Sequence, residues 1–322
     1  VRDAEDGWLF SGRCLRVRPD VNKIDPEFLS WFFGLESFKD YIRRIAVGAT
    51  MPSLNTELLS NVPIILPPLP EQRAIADVLG ALDDKIELNR RMNETLEQLA
   101  RALFKSWFVD FDPVRRNAER RMKNAECGMQ NAEDALFPSA FEGDIPQGWR
   151  VGKLSDYVEF AYGKSLKEEN RIDGEIPVFG SNGQIGWHNE SMVKGPGIIV
   201  GRKGNPGIVT WSNSDFFPID TTFYVVPTAE IRSMYYFFYA LEILDLPSLS
   251  ADSAVPGLNR NMAYMSPLII PHADIVKAFD AIVEPIRNKI HANNLESRTL
   301  AALRDALLPR LMSGEVRVKD EG

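Results

Sequence analysis

The most regular feature of the chain is a seam of apolar positions whose spacing alternates between four and three residues. It runs through Ile75, Leu79, Leu82, Ile86, Asn89, Asn93, Leu96, Ala100, Leu103 and Trp107. This is the heptad pattern of a helix that buries one narrow stripe. A helix start is predicted near Pro70, where a proline in the first turn is followed by Glu71. A second seam holds Phe279, Val283, Ile286, Ile290, Asn293, Ser297, Leu300, Arg304, Leu307 and Leu311, in a helix beginning near Pro271. Pro285 lies inside it and is predicted to kink or interrupt it. Asn89 and Asn293 occupy the same place in the two seams, where a polar side chain costs stability but fixes register. Two arrangements fit: each helix packs on its own domain, or the two pack on each other. Length favours the second, since a helix over 70–107 extends roughly 57 Å, more than a small domain needs.

The two seams belong to a repeat offset by 204 residues, seen in residues 51–67 against 255–271 and 84–104 against 288–308 without a gap. Identities include Pro52/Pro256, Leu54/Leu258, Asn55/Asn259, Pro63/Pro267, Ile65/Ile269, Lys85/Lys289, Asn89/Asn293 and Leu103/Leu307, 14 over 38 positions. Composition alone would give roughly two or three, so the unit is duplicated. Each copy reads as a hydrophobic segment, a proline-bounded strand (62–66 and 268–270) and a long helix. Between the copies, residues 109–143 are polar, with Arg115, Arg116, Arg120, Arg121 and Lys123 close together. A phosphate-touching patch is one reading; a solvated connector is the one favoured by charge runs in general. From residue 145 to 227 Gly, Pro and Asn become frequent, and strand-like runs appear at 149–153, 176–179, 197–200, 208–211 and 222–226. Counterparts of residues 145–208 are missing from the first copy: residues 1–10 align loosely with 209–217, and Trp31–Phe33 with the aromatic run 235–239.

The fold class read from this pattern is α+β: two loop-rich mixed domains, the first truncated, separated by two long antiparallel coiled-coil helices. The boundaries are 1–68 for the end of the first domain, 69–110 for the first helix and 111–144 for a polar connector. The second domain covers 145–268, and the second helix with its tail 269–322.

Composition narrows the function. The net charge of −8 argues against non-specific coating of DNA, while leaving room for a local basic face. Cys14 and Cys127 are far apart, and His188, His272 and His291 are scattered, so neither a disulfide framework nor a metal centre is predicted, and a reducing cytoplasm fits. No apolar run reaches membrane-spanning length. No secretory signal pattern opens the chain, and its first residue, Val1, reads as a non-native start. Catalytic motifs fail on inspection. GKS at 163–165 lacks the upstream glycine of a phosphate loop, because position 158 is Val158. No glycine fingerprint sits in a βαβ setting, and no Asn- or Asp-Pro-Pro-aromatic tetrapeptide occurs. EVRVK at 315–319 has nuclease-like spacing but lies in a tail. No nucleophile elbow is present.

What remains are loops suited to binding. GSNGQIGWH at 180–188 offers Asn182, Gln184 and His188, side chains able to read base edges. GRKGNPG at 201–207 sets Arg202, Lys203 and Asn205 among glycines that let backbone approach a phosphate chain. Tyr162, Lys164 and Arg171 lie in a third polar stretch. These nine residues form the candidate DNA-binding set. The candidate spacer-helix seam is Ile75, Leu79, Leu82, Ile86, Asn89, Leu96, Leu103, Ile286, Ile290, Asn293, Leu300 and Leu307.

Together, IPQGW at 145–149, IPVFGSNG at 176–183, GIIVGRKGNPG at 197–207, LPEQRAIADVL at 69–79, DDKIELNRR at 83–91 and LFKSWFVDFDP at 103–113 resemble the specificity subunits of type I restriction–modification systems. The resemblance covers nearly the whole chain. It implies a non-catalytic subunit with two target-recognition domains, each reading half of a bipartite double-stranded DNA site, and two antiparallel spacer helices. It further implies two methyltransferase subunits docked on those helices and restriction–translocase subunits joining the complex. S-adenosylmethionine, ATP and magnesium would sit on the partners and none on this chain, with no membrane involved and a cytoplasmic location. The truncated first domain departs from the pattern. Two other readings share the modules: the recognition component of a fused, type II-like restriction enzyme, and a helical scaffold with no DNA role.

Overall fold

The computed structural model describes residues 14–46, 54–122, 136–251 and 257–318. Lys123, Cys127, Lys319, the Pro52/Pro256 pair and the alignment of residues 1–10 lie outside the described residues. The chain divides into two compact units, residues 1–91 with 293–322 and residues 92–292.

In the first unit, α1 (Pro26–Gly34) is capped by Asp25, whose carboxylate accepts from the Glu27 and Phe28 amides. Then follow α2 (Glu36–Ile45), α3 (Thr56–Ser60), the first part of α4 (Leu69–Phe108), and the last part of a helix near the end of the chain. Its core gathers Phe28, Ile75, Ala76, Leu79, Leu311 and Met312. Gln72 is buried there because its amide is fully used: it accepts from the Asp25 N–H and donates to the Lys23 and Pro67 carbonyls.

The second unit opens with the rest of α4 and α5 (Asp112–Met122), then two short pairs: β1 (Phe141–Glu142) with β2 (Ile145–Pro146), and β3 (Arg150–Lys153) with a strand near the end of the unit. Further on come β4 (Val158–Tyr162), β5 (Ile176–Gly180), β6 (Gly183–His188), β7 (Gly197–Gly201), β8 (Val209–Ser212), β9 (Phe217–Pro218) and β10 (Thr222–Pro227). An antiparallel sheet has the order β4-β10-β7-β8; a second, β6-β5-β9, includes the parallel β5–β9 pair. After α6 (Met234–Ile243) come β11 (Ser250–Ala251), β12 (Gly257–Leu258), α7 (Arg260–Met265), β13 (Pro267–Ile270) and α8 (Ala273–Met312). The sequence of α6, MYYFFYALEI, is apolar nearly all round, and Tyr236 through Leu241 are all buried. The core joins them to Phe160, Ile198, Val200 and Phe223 of the sheet, Phe104, Trp107 and Phe108 of α4, and Phe279 and Val283 of α8.

The repeat is explicit in the elements. α4 and α8 have 40 residues each, and their ends differ by the repeat offset. Asn55 caps α3 through the Leu58 amide, as Asn259 caps α7 through the Met262 amide. The helices pack together, antiparallel. In the first unit, Asn89 donates to the Asn293 carbonyl (3.4 Å), Glu296 (2.8 Å) and Ser297 (3.2 Å), while Asp83 pairs with Arg304 further along. In the second, Glu97 pairs with Arg287. All twelve candidate seam residues are buried or half-buried, with Ile75, Leu79, Asn89, Ile286 and Asn293 the most enclosed.

Three expectations about local structure change. α8 is not interrupted by Pro285. The lost hydrogen bond and ring clash, together about 3 kcal/mol for a proline inside a helix, are outweighed by Phe279, Val283 and Ile286, which anchor both sides of it in the core. Residues 62–66 form no strand, although their counterpart β13 does. β13 exists by pairing with β3, whereas no strand pairs with 62–66 among the described residues. Leu66 is therefore 44% exposed, where the matching Ile270 is 3%. Within the stretch 111–144 the described residues are not solvated throughout, although Arg115, Arg116, Arg120 and Arg121 are exposed. Phe111, Val114 and Phe137 are buried, and Asn117 donates to the Phe137 carbonyl. Arg115 stays exposed, lying over the Phe141 ring and donating to the Asp110 carbonyl.

Candidate nucleic-acid interface

The candidate binding residues are not carried on free loops. Segment 201–207 is a tight, pinned turn. The Gly201 amide donates to the Ile208 carbonyl and the Gly207 amide to the Gly201 carbonyl, both at 2.8 Å. A Cβ at Gly201 would run into the Asn205 carbonyl oxygen, and Gly207 has φ +80 with the Leu246–Pro247 backbone against it. The amides of Arg202 and Lys203 both donate to the Thr221 carbonyl, at 2.9 and 3.2 Å. Side chains leaving this turn therefore have fixed origins.

Around it stands a cation–aromatic cluster. Tyr162, at the end of β4, is 48% exposed. The Arg202 guanidinium lies 4.8 Å from its ring centroid and 5.8 Å from that of Phe223, and donates to the Asp220 carbonyl at 3.0 Å. Arg260 lies 5.1 Å from the Tyr162 centroid and 5.7 Å from that of Tyr264. Tyr264 is held in turn by accepting the Phe160 amide on its hydroxyl. Lys164 and Lys203 are exposed beside the same backbone: Lys164 through the Pro218 carbonyl, Lys203 through Thr221 and a bridge to Gly257. Among the described residues, none of these four cations has a carboxylate partner. Arg260 is absent from the sequence-derived set because its signal is a contact with a ring 98 positions away, with no local pattern to mark it.

The other candidates have different places. GSNGQIGWH is not an open loop: β5 and β6 form a hairpin turning at Ser181 and Asn182. Asn182 and Gln184 are exposed on it. His188 is buried, its Nδ1 accepting the Ile172 amide at 3.1 Å and its ring edge-on to Phe217. Its Nδ1 is thereby committed to the fold. Arg171 is half-buried and donates to the Ile185 carbonyl, bracing the same hairpin. Asn205 is exposed at the tip of the pinned turn. The structure thus gathers Tyr162, Lys164, Arg202 and Lys203 together, and puts Asn182, Gln184 and Arg171 on the hairpin.

Beneath the sheet, Arg287 of α8 is enclosed by rings: Phe238 at 4.3 Å, Tyr239 at 5.0 Å and Trp211 at 5.3 Å. It pairs with Glu97 of α4 at 3.0 Å and donates to the Tyr239 hydroxyl at 2.7 Å. Burial holds the Tyr239 phenol above its ordinary range. Burial also pushes the Asp280 carboxyl up to about 6; it accepts from the Ser233 hydroxyl, which caps α6. Among the described residues there is no group of three or more His, Cys, Asp or Glu placed to hold a metal, and no helix is long and apolar enough to cross a membrane.

Comparison with known proteins bears on the fold and the seams together. The family model for the type I restriction modification DNA specificity domain matches residues 1–98. The HindI specificity subunit of Haemophilus influenzae is 26% identical, the match covering 97% of this chain and 82% of that one. A Methanocaldococcus jannaschii protein provisionally named the type I restriction enzyme MjaX specificity subunit is 33% identical, covering 99% of this chain and 75% of its own length. In fold, the crystal structure of the type I restriction–modification S subunit from M. genitalium superposes with TM-score 0.60 at 20% identity, covering 91% of this chain and 74% of that one.

Proposed function

The chain belongs to the family of type I restriction–modification specificity subunits, the non-catalytic, DNA-specifying members of those complexes, and from that premise we propose how it divides the work. Residues 145–268 are one target-recognition domain and read one half of a bipartite double-stranded target. Residues 1–68 belong to a second such domain, and α4 with α8 sets the distance between them. The observation that carries this reading is the group of four cations that have no carboxylate partner among the described residues, Lys164, Arg202, Lys203 and Arg260, on hydrogen-bonded backbone beside the exposed Tyr162. In a chain of net charge −8, such a group suits a polyanion. The exposed Asn182, Gln184 and Asn205 supply neutral donors and acceptors of the kind that discriminate base edges.

Two methyltransferase subunits dock on the helices in this account. Val78 and Ile282 are both exposed, as are Leu99 and Leu303, and each pair is related by the repeat. Two equivalent apolar patches suit two copies of one partner. The methyltransferases bring S-adenosylmethionine; restriction–translocase subunits bring ATP and magnesium, and the complex meets DNA in the cytoplasm. The test is methylation by the methyltransferase partner with and without this chain. Transfer confined to one target sequence, and only when the chain is present, is expected. A methylation pattern independent of the chain would favour a scaffold role.

A further inference from the structure

We infer that Arg260 is the second jaw of a phosphate clamp whose first jaw is Arg202 and whose seat is the ring of Tyr162. The inference rests on the DNA-recognition reading above and deepens it. Both guanidinium groups lie about 5 Å from one ring centroid. The two charges therefore stand within about one Debye length of each other, ~10 Å at 0.1 M salt. Like charges this close repel, and the negative face of one tyrosine offsets only part of that. Several other arginines are neutralised locally: Arg101 by Glu242, Arg287 by Glu97, Arg304 by Asp83 and Arg310 by Glu315. Arg202 and Arg260 have no such partner among the described residues, and Lys164 and Lys203 add to the excess.

The backbones that carry the jaws are tied to one another. The Arg202 carbonyl accepts the Leu258 amide at 2.9 Å, joining the 201–207 turn to the segment that leads into Arg260. The Tyr264 hydroxyl accepts the Phe160 amide, joining α7 to the strand that carries Tyr162. Each guanidinium is held against the Tyr162 ring, and Arg202 spends one donor on the Asp220 carbonyl. A fixed pair of guanidinium forks with surplus charge matches phosphodiester oxygens. Base edges carry no net charge and would leave the repulsion in place.

The experiment uses the complex of this chain with its methyltransferase subunits and a duplex containing its target, with affinity followed from 50 to 200 mM salt. Arg260→Gln is expected to shrink the slope of log K against log salt by about 0.9, and Arg260→Gln with Arg202→Gln by about twice that. Each lost contact then changes the variant-to-wild-type affinity ratio roughly 3- to 4-fold across that range. The methylated sequence stays the same, and Arg260→Lys keeps the slope. Phenylglyoxal labelling of the unmutated complex gives a check independent of folding: Arg202 and Arg260 react without DNA and are protected with it. An unchanged slope, absence of protection, or a loss confined to one base-pair position would each overturn the clamp. A wild-type complex with no sequence preference would instead overturn the recognition reading on which it rests.

Discussion

Arg287 is the point where α8, α4, α6 and β8 of the second unit meet, and removing its charge gives a magnitude that can be worked out. The residue is 6% exposed, its guanidinium is 3.0 Å from Glu97, and three aromatic rings enclose it. In Arg287→Met the volume is largely kept but Glu97, itself mostly enclosed, loses its main partner. Breaking a buried pair from one side costs about 3–5 kcal/mol. Arg101 still reaches Glu97 at 3.3 Å, so the lower end, about 3 kcal/mol, is expected. Arg287→Met with Glu97→Met removes both charges and should lie within about 1 kcal/mol of the wild type, because the cost is that of an orphaned charge and not of the missing pair. Urea unfolding followed by tryptophan fluorescence reads this directly, since Trp211 stacks against the site. A single variant as stable as wild type, or a double variant as unstable as the single, would refute the reasoning.

Gly201→Ala forces a methyl group onto the Asn205 carbonyl and should cost about 1–3 kcal/mol, with faster amide exchange at Gly207; an unaltered turn would show that the close approach does not matter. Asn89→Leu should raise stability by about 1 kcal/mol while admitting extra oligomeric species in light scattering, because the seam loses the polar contact that fixes its register; a single unchanged species argues otherwise. The Asp280 carboxyl, raised by burial to about 6, binds its proton more tightly folded than unfolded, so stability falls as pH rises from about 4 to 6 and is level above. Asp280→Asn removes that slope and gains about 1–2 kcal/mol at pH 7 after allowance for partial solvent screening; denaturation midpoints across that window decide it.

How far the fold could be read from sequence depends on whether each signal was local. The long helices declare themselves through a repeated 3.5-residue period, and the two observed helices begin and end at one common offset. The strands of the second unit follow β-branched and aromatic runs between glycine and proline. Residues 62–66 carry the same local pattern as β13, yet a strand is defined by its neighbour, and among the described residues only β13 has one. Pro285 is a local signal overruled by distant packing. The candidate binding residues divide in the same way. Arg202 and Lys203 stand out as adjacent cations among glycines, whereas His188 has a plausible side chain in a plausible motif and is spent on the Ile172 amide. Arg260 gains its role from Tyr162, which only the folded chain brings to it.

The central claim is that this chain determines which DNA sequence its complex modifies. Methylation mapping at base resolution tests it most directly, comparing the complex containing this chain with one in which residues 145–268 are replaced by the equivalent segment of a relative. The account predicts that one half of the methylated target changes while the other half and the spacing between them persist. An identical methylated sequence from both complexes would contradict it.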